Sequence, residues 1–563
     1  MPRLTRHYAH WPEGVPHTLD IPENHLFSLL QASARATPES TAIHFYGARL
    51  SYRQLHQASQ RLAGYLQQRL NVKRGDRVLL LMQNCPQFVI AYYAILRCDA
   101  VVVAMNPMST GEEIGHYTRD ADARVLIASQ ELLANALPLL DDGRLQACVT
   151  CASSHFVDSL DEDIPDFVRE PARHIPHPSL HPFTDALAAG LTAEAPHNGG
   201  RDLAILGYTS GTTGKPKGAM LSHRNLILAA QQRAVWMNEG SNPVALAVLP
   251  LNHLSGMGLM NQAMLTGTPL VMLSRWNAQT VLTLIERLRI TSLGVVTPMI
   301  AELFAQSDID HRDLSSVRLV FGGATAMPEA LAAEVERRLG VPFIEGYGMT
   351  ESCGGTHCNP PQAARRQCGG IAQINVDSRV IDPDTGRELG VNQCGEIVTH
   401  APTVFAGYWN NPQASRDAFI EIEGKAFLRS GDIGYYDEDG YFYITDRLKR
   451  MINAAGFKVW PAEVETALYG HPAVQEACVI SAFDAKRGET VKALIVLRPA
   501  ARGTVEQAQI SEWARSCMAA YKVPRIVEFV DSLPKTHTGK ALWRDLQREQ
   551  DKRDHALREA LAG

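Results

Sequence analysis

The sequence contains no apolar run near the roughly 20 residues that a membrane-spanning helix requires. Stretches such as 100–105 and 244–251 stop far short, so a spanning segment is excluded and only peripheral membrane contact stays open. A stripe of Lys and Arg is also missing. With 54 basic and 60 acidic side chains the formal charge is −6, and no patch has the electrostatic footprint of a nucleic-acid binder. The N-terminus, MPRLTRHYAHWPEGVPHTLDIPE, has early basic residues but no apolar core, and Pro12, Pro16 and Pro22 interrupt it. No secretory signal is expected there, and the chain is expected to be cytoplasmic. The ten cysteines are scattered, which argues against a disulfide framework and suits a reducing compartment. Cys148 and Cys151 form a CxxC with no second pair at zinc-ligand spacing, and Cys353, His357 and Cys358 on one loop do not close a site. Both groups read as ordinary thiols and a turn histidine.

What is present is length and alternation. A chain of 563 residues is too long for one hydrophobic core, so two or more folding units are expected. From about residue 45 to 440, helix-period segments alternate with short apolar runs, which predicts α/β layering with largely parallel sheets. The pattern predicts an amphipathic helix over 52–70 and strands over 77–81, 203–208, 244–249, 269–273, 292–296 and 317–321. A further helix starts at Pro328 and is ended by Gly340. Residues 153–200 break the rhythm: rich in Pro, Asp and irregularly spaced His, they read as a solvated excursion loop.

The most informative segment is Tyr208-Thr-Ser-Gly-Thr-Thr-Gly-Lys-Pro-Lys-Gly218. Directly after a predicted strand it offers glycines that let backbone N–H groups approach a polyphosphate, hydroxyls, and the cations Lys215 and Lys217. It is not a Walker A loop, because Thr209 stands where that spacing needs Gly and Pro216 where it needs Ser or Thr.

This segment, with Leu221-Ser222-His223 after it, resembles the signature of the adenylate-forming superfamily of acyl-CoA synthetases, luciferases and peptide-synthetase adenylation domains. The resemblance continues in order through Leu249-Pro250-Leu251-Asn252-His253, Gly322-Gly323-Ala324, Tyr347-Gly348-Met349-Thr350-Glu351, Gly395-Glu396, Ser430-Gly431-Asp432, Asp446-Arg447-Leu448-Lys449 and Pro534 to Lys540. It implies an α/β fold: a large N-terminal domain of layered α/β subdomains, 1–446, that binds ATP and acid, and a smaller, mobile α+β C-terminal domain, 447–563.

The resemblance also implies roles. Thr209, Ser210, Gly211, Thr212, Thr213, Gly214, Lys215 and Lys217 would hold the phosphates. Gly323, Ala324, Glu345, Gly346, Tyr347 and Gly348 would surround the adenine, with Tyr347 as the stacking plate. Thr350 would contact phosphate, and Glu351, with Thr209, would hold Mg²⁺, a hard ion that prefers oxygen ligands. Asp432 would accept the ribose hydroxyls and Arg447 would serve ribose and phosphate; without the resemblance these two read as a surface turn and a solvated linker. His253 would stand beside the acyl carboxylate, Lys540 would be the adenylation lysine and Lys449 the hinge. Gly456, Phe457 and Lys458 would pass the pantetheine arm of CoA.

The implied reaction is a two-step ligation: acyl-AMP forms from an acid and ATP, and the acyl group then passes to CoA. The pattern MINAAGFKVWPAEVE is most similar to fatty acyl-CoA ligases of medium or long chain preference, and Trp236, Met257, Met260 and Met299 read as an aliphatic tunnel or as ordinary core. Asn453, where aryl-CoA ligases often carry Lys, and Glu345, where Gln is frequent, depart from the family pattern. Carrier-protein loading and a noncatalytic acyl or nucleotide sensor are the alternative readings, and a homodimer is left open. The partners implied are small molecules: a carboxylic acid, ATP and CoA.

Overall fold

The computed structural model describes residues 4–158, 164–209, 216–323, 326–454, 457–484, 488–535 and 541–562, with backbone alone at 449, 457, 458 and 556–562. Local chemistry sets its element starts. Helix α1 (Tyr52–Gln68) begins at a capping box in which Ser51 and Gln54 satisfy each other's backbone N–H, and α2 (His223–Met237) begins at the same device made by Ser222 and Asn225. The helix α3 (Leu254–Thr266) follows His253, and α4 (Glu329–Leu339) ends where Gly340 takes φ +69°, as the pattern predicted.

The chain divides into two compact units. The first comprises 1–378, 399–428 and 439–441, and the second 379–398, 429–438 and 442–563. Strands of the first unit are β1 (Thr41–Phe45), β2 (Ala48–Ser51), β3 (Arg77–Leu81), β4 (Val101–Ala104), β5 (Val125–Ser129), β6 (Ala147–Cys151), β7 (Leu180–Pro182), β8 (Leu203–Thr209) and β9 (Lys217–Ser222). They continue as β10 (Ala245–Ala247), β11 (Leu270–Met272), β12 (Ser292–Gly294), β13 (Leu319–Gly323), β14 (Phe343–Met349), β15 (Gly354–Cys358) and β16 (Ile371–Ala372). One sheet runs β7-β6-β5-β3-β4-β8-β9 and is parallel except for the β8–β9 hairpin. The other runs β16-β15-β14-β13-β12-β10-β11-β1-β2, parallel from β14 to β1 and antiparallel at its edges. Central strands such as β10, β11 and β12 are buried throughout, the reason they appear in the sequence as short continuous apolar runs.

A third sheet, β17 (Asp377–Ile381), β18 (Gly395–His400), β19 (Phe419–Ile422), β20 (Lys425–Tyr436) and β21 (Phe442–Arg447), is the stretch within which the chain passes between the units. The second unit also carries β22 (Ile452–Ala454), β23 (Phe457–Val459), β24 (Val474–Asp484), β25 (Gly488–Leu497) and β26 (Ile526–Phe529), ordered β23-β22-β25-β24 with β26 on β25. Ile452, Val479, Ile495, Ile510 and Val527 belong to its core, and the helix α5 (Trp543–Ala562) closes the chain.

Three expectations are corrected. The described part of residues 153–200 is not a free excursion: β7 extends the first sheet in parallel with β6, Phe183 and Ala186 are buried, and Tyr65 Oη lies 2.9 Å from His181 Nδ1. The three residues of β7 that pair there are too few to leave a period in the sequence. Asp432 does not stand on a surface turn but within β20, and Arg447 ends β21 rather than lying in a linker. Their charges are accommodated because the two pair across the strands. Among the described residues no helix is long and apolar enough to cross a membrane.

Candidate active site

Around the β8–β9 hairpin the fold gathers residues that are far apart in sequence. Thr209 and Lys217 pair at its loop end, while Ser210 to Lys215 lie outside the described residues. Next to the hairpin sits a short 3-10 turn, Thr350–Ser352. A Cβ on Gly207 would meet Thr350 Cγ2 at 2.8 Å, so only glycine in β8 lets that turn come so close. A strap then runs along β9: the N–H of Met220 donates to Gly407 O at 2.9 Å, and that of Trp409 donates to Gly218 O at 2.8 Å.

The strap delivers Tyr408. Its phenol donates to Glu351 Oε1 at 2.7 Å, the Phe405 N–H donates to Glu351 O at 2.8 Å, and Lys217 Nζ lies 5.1 Å from the Tyr408 ring centroid. Burial and the neighbouring Glu351 carboxylate hold the phenol protonated by raising its pKa. Among the described residues, Glu351 Oε2 has no hydrogen-bond partner. Sequence reasoning did not single out Tyr408, because its importance comes from a pairing with a strand almost two hundred residues earlier; the nearest local signal is Gly407, at φ +133°.

Behind this turn, Gly322 pairs with Glu345 and Gly323 with Gly346 between β13 and β14. A Cβ on Gly348 would lie 1.7 Å from Gly354 O, so the glycine is demanded by the close antiparallel passage of β15. Tyr347 is half-buried, with its ring centroid 5.5 Å from that of His357 and tilted by 49°. Burial lowers the His357 pKa to about 3 and raises the thiols of Cys353 and Cys358, the latter to about 12. Ala324 lies outside the described residues.

Glu345 takes a place the resemblance did not suggest. Its carboxylate is buried and accepts the N–H of Gln367 at 2.8 Å and that of Met327 at 3.3 Å, tying together the turns after β13 and β15. Burial raises its pKa from the ordinary 4.5 to about 7. A carboxyl whose folded pKa is raised contributes stability that is full below its unfolded pKa and is lost as pH rises through about 7, a swing of roughly 3 kcal/mol for this shift. Glu345→Gln is therefore expected to be less stable than wild type at pH 5, by about 1 kcal/mol, because an acceptor becomes a donor, and to close or reverse that gap at pH 8. Denaturant midpoints at the two pH values check this; parallel pH profiles would refute it.

Asn84 holds the loop before His253 by donating to Leu249 O at 3.1 Å and accepting from the Leu251 N–H at 2.9 Å. His253 is exposed at the start of α3 rather than sunk in the core. Trp236, Met257 and Met260 are buried, and Met299 packs against the core under β10–β13. The Trp236 indole N–H donates to Asn359 O at 3.1 Å.

In the second unit, Asp432 faces Arg447 across β20 and β21, and the two form an ion pair. Asp432 is buried and Arg447 half exposed. The strand bends at Gly431, φ +66°, whose N–H donates to Glu396 Oε1 at 3.1 Å, while Arg429 donates twice to Glu396 Oε2. The Gly395-Glu396 pair thus shapes the Ser430-Gly431-Asp432 bend. Lys449 lies in the turn that follows β21, Phe457 and Lys458 lie in β23, and Gly456 and Lys540 fall outside the described residues. Among the described residues no group of three or more His, Cys, Asp or Glu is gathered as a metal cage.

The family model described as AMP-binding enzyme matches residues 30–409, and that described as AMP-binding enzyme C-terminal domain matches residues 463–540. A long-chain-fatty-acid–CoA ligase of Bacillus subtilis (strain 168) is 33% identical over 97% of this chain and 98% of its own. A 4-coumarate–CoA ligase 2 of Oryza sativa subsp. japonica is 34% identical over 85% and 84%. Among solved structures, ATP-bound MatB from Rhodopseudomonas palustris superposes with a TM-score of 0.80 at 26% identity, covering 93% of this chain and 98% of that one.

Proposed function

The chain belongs to the AMP-binding enzyme family and is an adenylate-forming CoA ligase with ATP and CoA as substrates; within that family we propose that its acid is a fatty acid of medium to long chain. The observation that carries this reading is the burial of three large apolar side chains on the helices that follow the nucleotide hairpin and His253: Trp236 on α2, and Met257 and Met260 on α3. The near full-length match to a long-chain-fatty-acid–CoA ligase supports it.

In the first step a carboxylate oxygen attacks the α-phosphorus of ATP, the bond to the β-phosphate breaks, and pyrophosphate leaves with acyl-AMP formed. Positioning and electrostatics supply most of the acceleration in such phosphoryl chemistry. Thr209, Lys217 and the loop 210–215 hold the outgoing phosphates, Thr350 contacts the phosphate, and Tyr347, between Gly346 and Gly348, stacks on the adenine, beside Gly323 and Ala324. Asp432 accepts the ribose hydroxyls, displacing part of its pairing with Arg447, which turns to the phosphate. Glu351 fits a divalent cation, because one of its oxygens is held by Tyr408 and the other takes no partner among the described residues. With Thr209 it would hold Mg²⁺, which when bound offsets phosphate charge.

In the second step the CoA sulfur attacks the acyl carbon and AMP leaves. A domain boundary at 446/447 with Lys449 as its hinge lets residues 447–563 turn between the steps, bringing Lys540 for the first and Gly456, Phe457 and Lys458 for the second. A screen of carboxylic acids from short to long chain, with aromatic acids included, tests the reading by CoA-dependent AMP release. Medium or long alkanoic acids are expected to give the highest kcat/KM. A clear preference for aromatic or short acids would overturn it, and AMP release without CoA would favour carrier loading.

A further inference from the structure

On the acyl side of this site stands one charged side chain whose bonding capacity is not used up. Arg233 projects from α2, its Cζ 4.2 Å from the Phe321 ring centroid, and its Nε donates to Gln262 Oε1 at 2.6 Å. Its Nη2 is sealed from solvent and has no hydrogen-bond partner among the described residues. Gln262, on α3, passes the polar chain onward: its Nε2 donates to Glu239 Oε1 at 3.0 Å, and Ser292 Oγ donates to Glu239 Oε2 at 2.9 Å.

The place of this group matters as much as its bonding. Phe321 directly precedes Gly322 and Gly323 in β13, and Arg233 is within electrostatic reach of Cys358, the residue paired with Gly346. The guanidinium therefore lies behind the strand ends that carry Tyr347. Along α3, Ser255, Gly258 and Leu259 share the face of Gln262, which comes nine residues after His253, about 13 Å at the helical rise, and a Cβ on Gly258 would meet nothing within 4 Å. An acid whose carboxylate lies at His253 would bring the far part of a medium-length chain to Arg233.

Buried guanidinium donors are normally saturated. Here the positive charge is already balanced by Glu239 through one intervening amide, so a second carboxylate would set two anions against one cation. A neutral oxygen leaves that balance intact and supplies the missing acceptor. We propose that Arg233, oriented by Gln262 and the Phe321 ring, recognises a neutral oxygen (hydroxyl, carbonyl or ether) on the distal part of the acid, so that oxygenated fatty acids are favoured over their plain counterparts. The choice of fatty acids rests on the fatty-acid reading above, the oxygen-recognising role of Arg233 only on the acid's carboxylate lying at His253.

The test compares kcat/KM, from CoA-dependent AMP release, for matched pairs: each medium or long alkanoic acid against its ω-hydroxy and oxo derivatives, and cinnamic acid against its para-hydroxy derivative. In wild type the oxygenated member of at least one alkanoic pair is expected to be preferred by about tenfold or more. In Arg233→Met that ratio is expected to fall towards one, which a purely structural loss, acting on both members alike, would not produce. A wild-type ratio near one in every pair, or a ratio unchanged in Arg233→Met, overturns the inference, and the wild-type ratio decides alone if the variant does not fold. Activity confined to the aromatic pair, with the oxygenated member preferred and the preference lost in Arg233→Met, overturns the fatty-acid reading and keeps this one; no turnover of any member overturns both.

Discussion

Lys540→Ala is expected to abolish carboxylate-dependent exchange of pyrophosphate into ATP while leaving much of the thioester half-reaction from supplied acyl-AMP. The first step builds negative charge between the acid and the α-phosphate, and an ammonium on a flexible stem can meet both partners as that charge develops. Removing one such donor costs about 10²- to 10³-fold where it acts in the transition state. The second step needs no such bridge, because the acyl–phosphate bond is already made. Lys540 is the last residue matched by the C-terminal family model, in the segment 447–563 that is proposed to turn between the two steps. Equal loss of both half-reactions would sink the assignment, since it would indicate general damage to the unit rather than a role in one step.

Glu351→Gln is expected to lower adenylation by about 10²-fold or more with little change in fold. The amide oxygen can still accept from the Tyr408 phenol, which now lies 2.7 Å from Glu351 Oε1, so the strap should stay in place and the unfolding free energy should move by only about 1 kcal/mol. What disappears is the negative charge offered by the second oxygen. The loss should therefore appear as a steep rise in the Mg²⁺ concentration needed for half-maximal pyrophosphate exchange. An unchanged Mg²⁺ dependence beside a reduced rate would mean that Glu351 only anchors Tyr408 and the strap.

Several features were legible because their cause is local. Gly340 ends α4 at positive φ as the pattern predicted, and Ser222 caps α2 within the motif Leu221-Ser222-His223. The strand expectations at 77–81 and 203–208 correspond to β3 and β8 almost residue for residue, since buried parallel strands are read directly from continuous apolar runs. Other features depended on partners distant in sequence. Without the resemblance Asp432 reads as a surface turn, because nothing beside it reveals that Arg447 will face it across two strands. Residues 153–200 read as solvated because the pairing of β7 involves only three residues.

By itself, then, the amino-acid sequence determined the class of chemistry: hydroxyls, glycines and lysines in a single loop, and an ordered series of short motifs, specify nucleotide activation wherever the chain places them. Only the tertiary structure decided which of these residues act together and which serve as scaffold. It joined Lys217, Tyr408 and Glu351 through a strap on β9, made Glu345 a buried tie between two turns, and set Arg233 against Phe321 with a donor to spare. The physical reason is the same in each case. A motif's composition depends on its own residues, but burial, hydrogen-bond saturation and charge balance depend on neighbours that only the folded chain brings within a few ångströms.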